Sequence, residues 1–327
     1  MKVKGLLNVA CVVVGAWCFV LQVETARAAD AYPSRTVKII VPFPPGGGND
    51  LTARLLAQRL QTELNQPFIV ENRPGADGMV AFETVKRSAP DGYMLLLGQS
   101  TGMTVNPAVY KSLPYEPLKD FEPISTVGLF PLVLVVNSES DVKTVADLVA
   151  KAKSNSTPIN LGYPTISYRL GLSLIGSEAG FKFNAIPYRG SMPTLNGLLT
   201  REIDASLIDL ASAKSQIEAG KLRALAVASV SGKDFLPNVP TLAEAGVKGV
   251  DIEFWSGLFA PIGTPQEIIV KLQAQIAQLL LTEDLKQKAA LIAMKPFANE
   301  PAQLREMIRS QIDLYTGIAK RENISVE

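Results

Sequence analysis

From residue 32 onward, short β-branched runs alternate with segments of helical period, and this alternation restricts the chain to an α/β architecture. Val37 to Val41 reads as a buried strand. Asp50 to Leu64 carries Leu51, Leu55, Leu56, Leu60 and Leu64 on one stripe and reads as a helix. Phe68 to Val70 is the next strand. Arg73-Pro74-Gly75-Ala76-Asp77-Gly78 is a turn, a short helix runs through Lys86, and Met94 to Leu97 is a third strand. Around residue 120 the pattern changes. Phe121 to Val136 holds two apolar stretches separated by Gly128 and Pro131, as expected of a strand passing from one lobe to another. A second α/β set follows from Thr144 to near Val250, with strands at Ile159–Leu161, Ala185–Tyr188, Ala205–Ile208 and Leu225–Ala228. Phe254 to Ala260 is the expected return crossing, and Pro265 opens a C-terminal helical region. Two crossings imply an inserted lobe: 29–130 plus 254–327 as lobe 1, and 131–253 as lobe 2.

The first residues read as a secretion signal. Lys2 and Lys4 precede an apolar run, Gly5 to Val23, and Ala26-Arg27-Ala28 supplies small residues for cleavage near Ala28. At roughly 19 residues the run is also long enough for an uncleaved membrane anchor. The expected mature chain is periplasmic. Both cysteines, Cys11 and Cys18, lie inside the leader, so the mature part has neither disulfides nor a thiol nucleophile. The chain has no histidine, which removes the commonest general base and metal ligand. No metal site, cofactor or catalytic residue is expected. Ser212-Ala213-Lys214-Ser215 has the wrong spacing for Ser-x-x-Lys chemistry. Without Lys2, Lys4, Arg27 and Glu24, the 32 basic and 31 acidic residues become 29 and 30, giving no reason to expect nucleic acid as a partner.

The segment Val41-Pro42-Phe43-Pro44-Pro45-Gly46-Gly47-Gly48-Asn49-Asp50 joins a strand to a helix. Its glycines let a ligand approach the backbone, and the helix start behind them offers N–H groups and partial positive charge, a combination suited to a carboxylate. It lacks Gly-Lys-Ser/Thr and breaks G-x-G-x-x-G at Leu51, so it is not a nucleotide loop. A tight turn capped by Asn49 or Asp50 is the plainer reading.

Together with Tyr32-Pro33-Ser34-Arg35, ENRPGADG (71–78), APDGYMLLLG (89–98), Pro187-Tyr188-Arg189-Gly190, AGKLRALAV (219–227), VPTLAEAG (239–246) and APIGTP (260–265), this segment resembles the Bug family. These are extracytoplasmic solute receptors of tripartite tricarboxylate transporters. The resemblance covers the mature chain. It implies a fold like the type II periplasmic binding proteins, two α/β lobes closing on a small organic acid, with membrane permease subunits as partners and a monomeric state. A receptor that serves only signalling would look the same. It also implies that one carboxylate sits between Phe43, Pro44, Gly46, Gly47, Gly48 and Asn49 on one lobe and a loop over Gly162–Ser167, with Tyr163, Thr165 and Ser167, on the other. That second loop departs from the family: it is about two residues shorter, Tyr163 and Pro164 stand where glycines leave space, and Tyr168-Arg169-Leu170 replaces Ser/Thr-His-Leu.

Arg169 then has two readings, a bidentate carboxylate partner or a solvated helix-start residue. Gln99, Ser100 and Thr101 follow a strand and belong at the cleft edge. Tyr188 precedes a glycine turn at another strand end. Asp209 matches a family position beside the ligand and could equally cap a helix. Phe43 and Trp255 are aromatic candidates for cleft or core. An aromatic acid and a dicarboxylate are both open as ligands.

Overall fold

The computed structural model describes residues 32–46, 48–154 and 158–326. The leader with its cleavage site, and Gly47, lie outside the described residues.

The first βαβ set comprises β1 (Val37–Val41), α1 (Gly48–Leu64), β2 (Phe68–Asn72), α2 (Met79–Lys86) and β3 (Met94–Gln99). β1 is parallel to both β2 and β3. Thr52, Ala53, Leu56, Ala57 and Leu60 form the buried face of α1. Leu51, expected on that face, is instead 42% exposed, because the first turn of the helix stands at the edge of a cleft.

β4 (Phe121–Asn137) is a strand of 17 residues. The second set follows: α3 (Val145–Ser154), β5 (Ile159–Tyr163), α4 (Ile166–Ala179), β6 (Phe183–Pro187), α5 (Ser191–Leu199), β7 (Ala205–Asp209), α6 (Leu210–Glu218) and β8 (Leu222–Val227). β9 (Glu253–Pro261) returns, and α7 (Gln266–Leu280), α8 (Glu283–Leu291), β10 (Lys295–Pro296) and α9 (Pro301–Arg321) complete the chain. The strand order is β2-β1-β3-β9-β4-β7-β5-β6, with β10 and β8 also paired to β4.

The chain is built as two α/β lobes, and β4 serves both. From Phe121 to Pro131 it pairs antiparallel with β9; from Leu132 to Asn137 its partners are β7 and β8. The return crossing lies alongside: Ala228 N donates to Leu132 O (2.9 Å) and Ile252 N donates to Ala228 O (3.0 Å), while Glu253 is registered against Pro131. α9 spans the junction. Its Leu304 and Ile308 bury with Phe82, Trp255 and Phe259, whereas Tyr315, Ile318 and Ala319 bury with Leu170, Leu172 and Leu174 of α4.

Glu253 sits at this double crossing. Ser229 Oγ donates to its Oε1 (3.0 Å), and Lys295 pairs with the neighbouring Asp234 (2.8 Å). Burial lifts the Glu253 carboxyl to about 7, against the opposing Ser229 hydrogen bond; Asp251 adds to the rise and Lys295 counters it. The folded state therefore binds a proton here that the unfolded chain releases near pH 4.5. This contribution to stability is complete below that pH and is lost as pH rises through about 7. Discounted for partial exposure, the loss is on the order of 2 kcal/mol. Glu253→Gln should remove this slope: in urea denaturation between pH 4.5 and 7.5, the difference in stability between variant and wild type should grow with pH.

Candidate functional site

The loop after β1 is held from behind by one carboxylate. Asp50, 2% exposed, accepts from Gly46 N (2.9 Å) and Arg54 Nε (2.9 Å) through Oδ2, and from Asn72 Nδ2 (2.9 Å) through Oδ1. Asn72 Nδ2 also donates to Phe43 O (2.9 Å), so both arms of the loop are tied to β2. Burial works against the Asp50 charge, but hydrogen bonds from Arg54, Gly46 and Asn72 outweigh it and hold the carboxyl below its ordinary value. Gly46 has φ +89°, a conformation that only glycine adopts without strain. Gly78 (φ +89°) closes the adjoining turn, where an added Cβ would lie 2.9 Å from Pro42 Cβ.

Past this loop a cavity of about 480 Å³ opens between the lobes, within the size range of small-molecule sites. Lobe 1 lines it with Gly48, Asn49 and Leu51 of α1, with Gln99 at the end of β3 and Ser100 and Thr101 after it, and with Leu291 at the end of α8 and Ile292 and Ala293 after it. The crossing strands add Phe130, Pro131, Phe254, Trp255 and Ser256; lobe 2 adds Tyr168, Asp209, Ala211 and Ser212. Gln99 is registered opposite Ser256, whose Oγ donates to Asn49 Oδ1 (2.7 Å). Trp255 N donates to Ser100 Oγ (3.4 Å), and Trp255 Nε1 to Gln311 Oε1 (2.9 Å). Gln99 is 7% exposed, and its Nε2 has no hydrogen-bond partner among the described residues. A buried amide donor without an acceptor is costly and suits a ligand oxygen.

Asp209 caps α6: Ser212 N donates to Oδ1 (2.8 Å). Ser191 Oγ (2.8 Å) and Tyr168 Oη (3.4 Å) donate to Oδ2. Burial pushes the Tyr168 phenol well above its ordinary value and the Asp209 charge adds to this, so Tyr168 stays a donor. Its ring packs edge-on to Phe254, with centroids 4.7 Å apart. The first turns of α1 and α6 both reach the cavity, bringing the positive ends of two helices to it. Among the described residues no Lys or Arg lines it.

Of the residues singled out from sequence, Gly48, Asn49, Gln99, Ser100, Thr101, Asp209 and Trp255 come together here. Ser167, 2% exposed, reaches the edge, its Oγ 3.1 Å from Thr101 Oγ1, a contact across the two lobes. The others stand apart from the lining. Phe43 is half-buried; Pro44 and Gly46 are exposed behind α1. Tyr163 packs on the lobe 2 core, and Thr165 is the exposed cap residue of α4. Tyr188 lies over Gly162 and Gly197, against α5. Arg169 lines a separate cavity with Ser173, Lys182 and Glu322, because the α4 turn that aims Tyr168 into the cleft aims its neighbour outward. Phe130, Phe254, Ser256 and Leu291–Ala293 belong to no sequence motif. The Gly128 and Pro131 interruptions, which mark a lobe crossing, are the signal that points to Phe130. Among the described residues no cluster of His, Cys, Asp or Glu could hold a metal ion, and no helix is long and apolar enough to cross a membrane.

Two lobes, two crossing strands and a cavity at the strand ends between them define a solute-binding protein. The chain matches the model for the tripartite tricarboxylate transporter family receptor over residues 52–324, and it belongs to that family. It is 34% identical over 311 residues to protein BugT of Bordetella pertussis, covering 94% of this chain and 95% of that one. Among solved structures, R. palustris Rpa4515 with adipate is 31% identical with a TM-score of 0.78, covering 90% of this chain and 99% of that one. MatC from Rhodopseudomonas palustris with bound malate is 28% identical with a TM-score of 0.72, covering 88% and 99%.

Replacing Asp50 by Ala should cost about 3 kcal/mol, since it leaves Asn72, Arg54 and the Gly46 amide without their shared acceptor. Urea denaturation at neutral pH measures this, and Asp50→Asn should lose less.

Proposed function

We propose that this chain is a periplasmic receptor that captures a small organic carboxylate in the cleft and delivers it, as a monomer, to membrane permease subunits. Export by the leader, with cleavage near Ala28, belongs to the same reading, as do lobe limits at 29–130 plus 254–327 and 131–253. The observation that carries it is a cavity between the lobes that is lined by Asn49, Gln99, Ser100, Thr101 and Ser256 and receives the first turns of α1 and α6. Neutral donors and helix N-termini can hold a carboxylate without a cation. The adipate and malate bound by Rpa4515 and MatC are both carboxylates, which supports the ligand class. The lack of histidine in the chain and of any lysine among the described residues that line the cavity favours capture without turnover.

A thermal-shift screen of the mature chain against mono- and dicarboxylates tests this. A ligand at 100 times its Kd should add about 2.7 kcal/mol of stability. Gln99→Leu should weaken the stabilising acid at least about tenfold, or about 1.4 kcal/mol, whereas Arg169→Ala, in its separate cavity, should leave the affinity within about twofold, under 0.5 kcal/mol. Stabilisation by neutral sugars or amines and by no acid would overturn the carboxylate reading.

A further inference from the structure

We infer that the cleft selects monocarboxylates with an apolar body, aryl or medium-chain aliphatic acids, and that Leu291 with Leu51 forms the lip that selects them. The inference rests on the carboxylate reading and sharpens it.

The lining divides in two. Gln99, Ser100, Thr101, Ser256 and Asn49 form one contiguous polar patch, joined by the Gln99–Ser256 register and the Ser256–Asn49 hydrogen bond. One carboxylate satisfies it. Apart from Tyr168, Asp209 and Ser212 on lobe 2, the remaining wall is apolar: Phe130, registered opposite Phe254, then Leu51 and Leu291–Ala293. Among the described residues a second carboxylate would find no Lys or Arg there, and the carboxylate of Asp209 already has both oxygens engaged by Tyr168, Ser191 and Ser212. A dicarboxylate therefore meets a like charge and no cation to offset it. An apolar body meets the opposite situation. Leu291 is 86% exposed and Leu51 42% exposed, yet both line the cavity. Covering them removes apolar surface from water at both partners, so affinity grows with the apolar area of the ligand.

Titration calorimetry on the mature chain tests this with four probes: benzoate, hexanoate, adipate and malate. Benzoate or hexanoate should bind at least about tenfold tighter than either dicarboxylate, a difference of about 1.4 kcal/mol. Leu291→Ser, a change at an exposed position, should narrow that ratio at least about threefold, or about 0.65 kcal/mol. Asp209→Asn, which keeps a capping side chain on α6, should raise adipate affinity relative to benzoate. Dicarboxylates that bind as tightly as the monocarboxylates, or tighter, would overturn the inference and leave the carboxylate reading standing. An unchanged ratio in Leu291→Ser would overturn the role of the lip. Benzamide binding as tightly as benzoate, or no binding by any of the four acids, would overturn the carboxylate reading itself and the inference with it. Should either variant fail to fold, the wild-type ratio alone decides.

Discussion

The structure depends on one strand that changes partners. β4 could have ended at Pro131, since proline cannot donate to a ladder. It continues because its next residues, Leu132 to Val136, are buried against β7 and β8 and join the lobe 2 cores. Every other element of the cleft is placed relative to this crossing. β9 lies antiparallel to β4's first half and β3 lies against β9, so the end of β3 and the start of β9 meet at the level where the lobes part. Gln99, Ser100, Trp255 and Ser256 line the cavity as a result of pairing, without any loop having to be shaped to bring them there.

The electrostatics follow the same economy. The fixed charge of the first loop is Asp50, and it faces the backbone, anchoring Gly46 and Asn72 behind α1 while the first turn of the helix faces the cavity. Asp209 is likewise spent on capping α6 and on two hydroxyls. Both carboxylates stabilise frame rather than ligand. What remains for a solute is neutral: amide and hydroxyl groups and the dipoles of two helices. Such a site avoids the desolvation cost of burying a lysine or arginine, and it releases its cargo without first breaking a buried ion pair.

Much of the fold was legible in the sequence, and the reasons it was legible also explain what was not. Val37–Val41 is a strand as its β-branched run predicts, and the period of Leu55, Leu56, Leu60 and Leu64 marks α1 correctly although the helix begins at Gly48. The apolar run from Phe121 with Gly128 and Pro131 inside it is a single strand, and Phe254–Ala260 lies within β9. Periodicity reports which face is buried, and so it reports the core. It treats Leu51 as one more core position, because a residue facing a cleft obeys the same helical period as one facing a sheet. The family resemblance pointed to Gly162–Ser167, but the residue that lines the cavity is Tyr168, the third residue of α4. Leu291–Ala293 is contributed by a turn almost two hundred residues beyond Gln99, and only tertiary pairing of β10 with β4 brings it alongside.

Phe130 and Phe254 are paired in register, and the next pair along, Pro131 and Glu253, is where the strands change lobes. The aromatic wall of the cavity and the junction between the lobes are therefore adjacent positions on the same two strands. A solute packed against Phe130 and Phe254 while touching Gln99 on one side and Tyr168 on the other bonds to both lobes across their junction. Such a ligand favours whichever arrangement of the lobes allows both sets of contacts, by as much as its affinities for the two arrangements differ. Specificity and closure then draw on the same residues: an acid too small to reach the wall forgoes the contacts that hold the lobes together, and one carrying a second charge disturbs them.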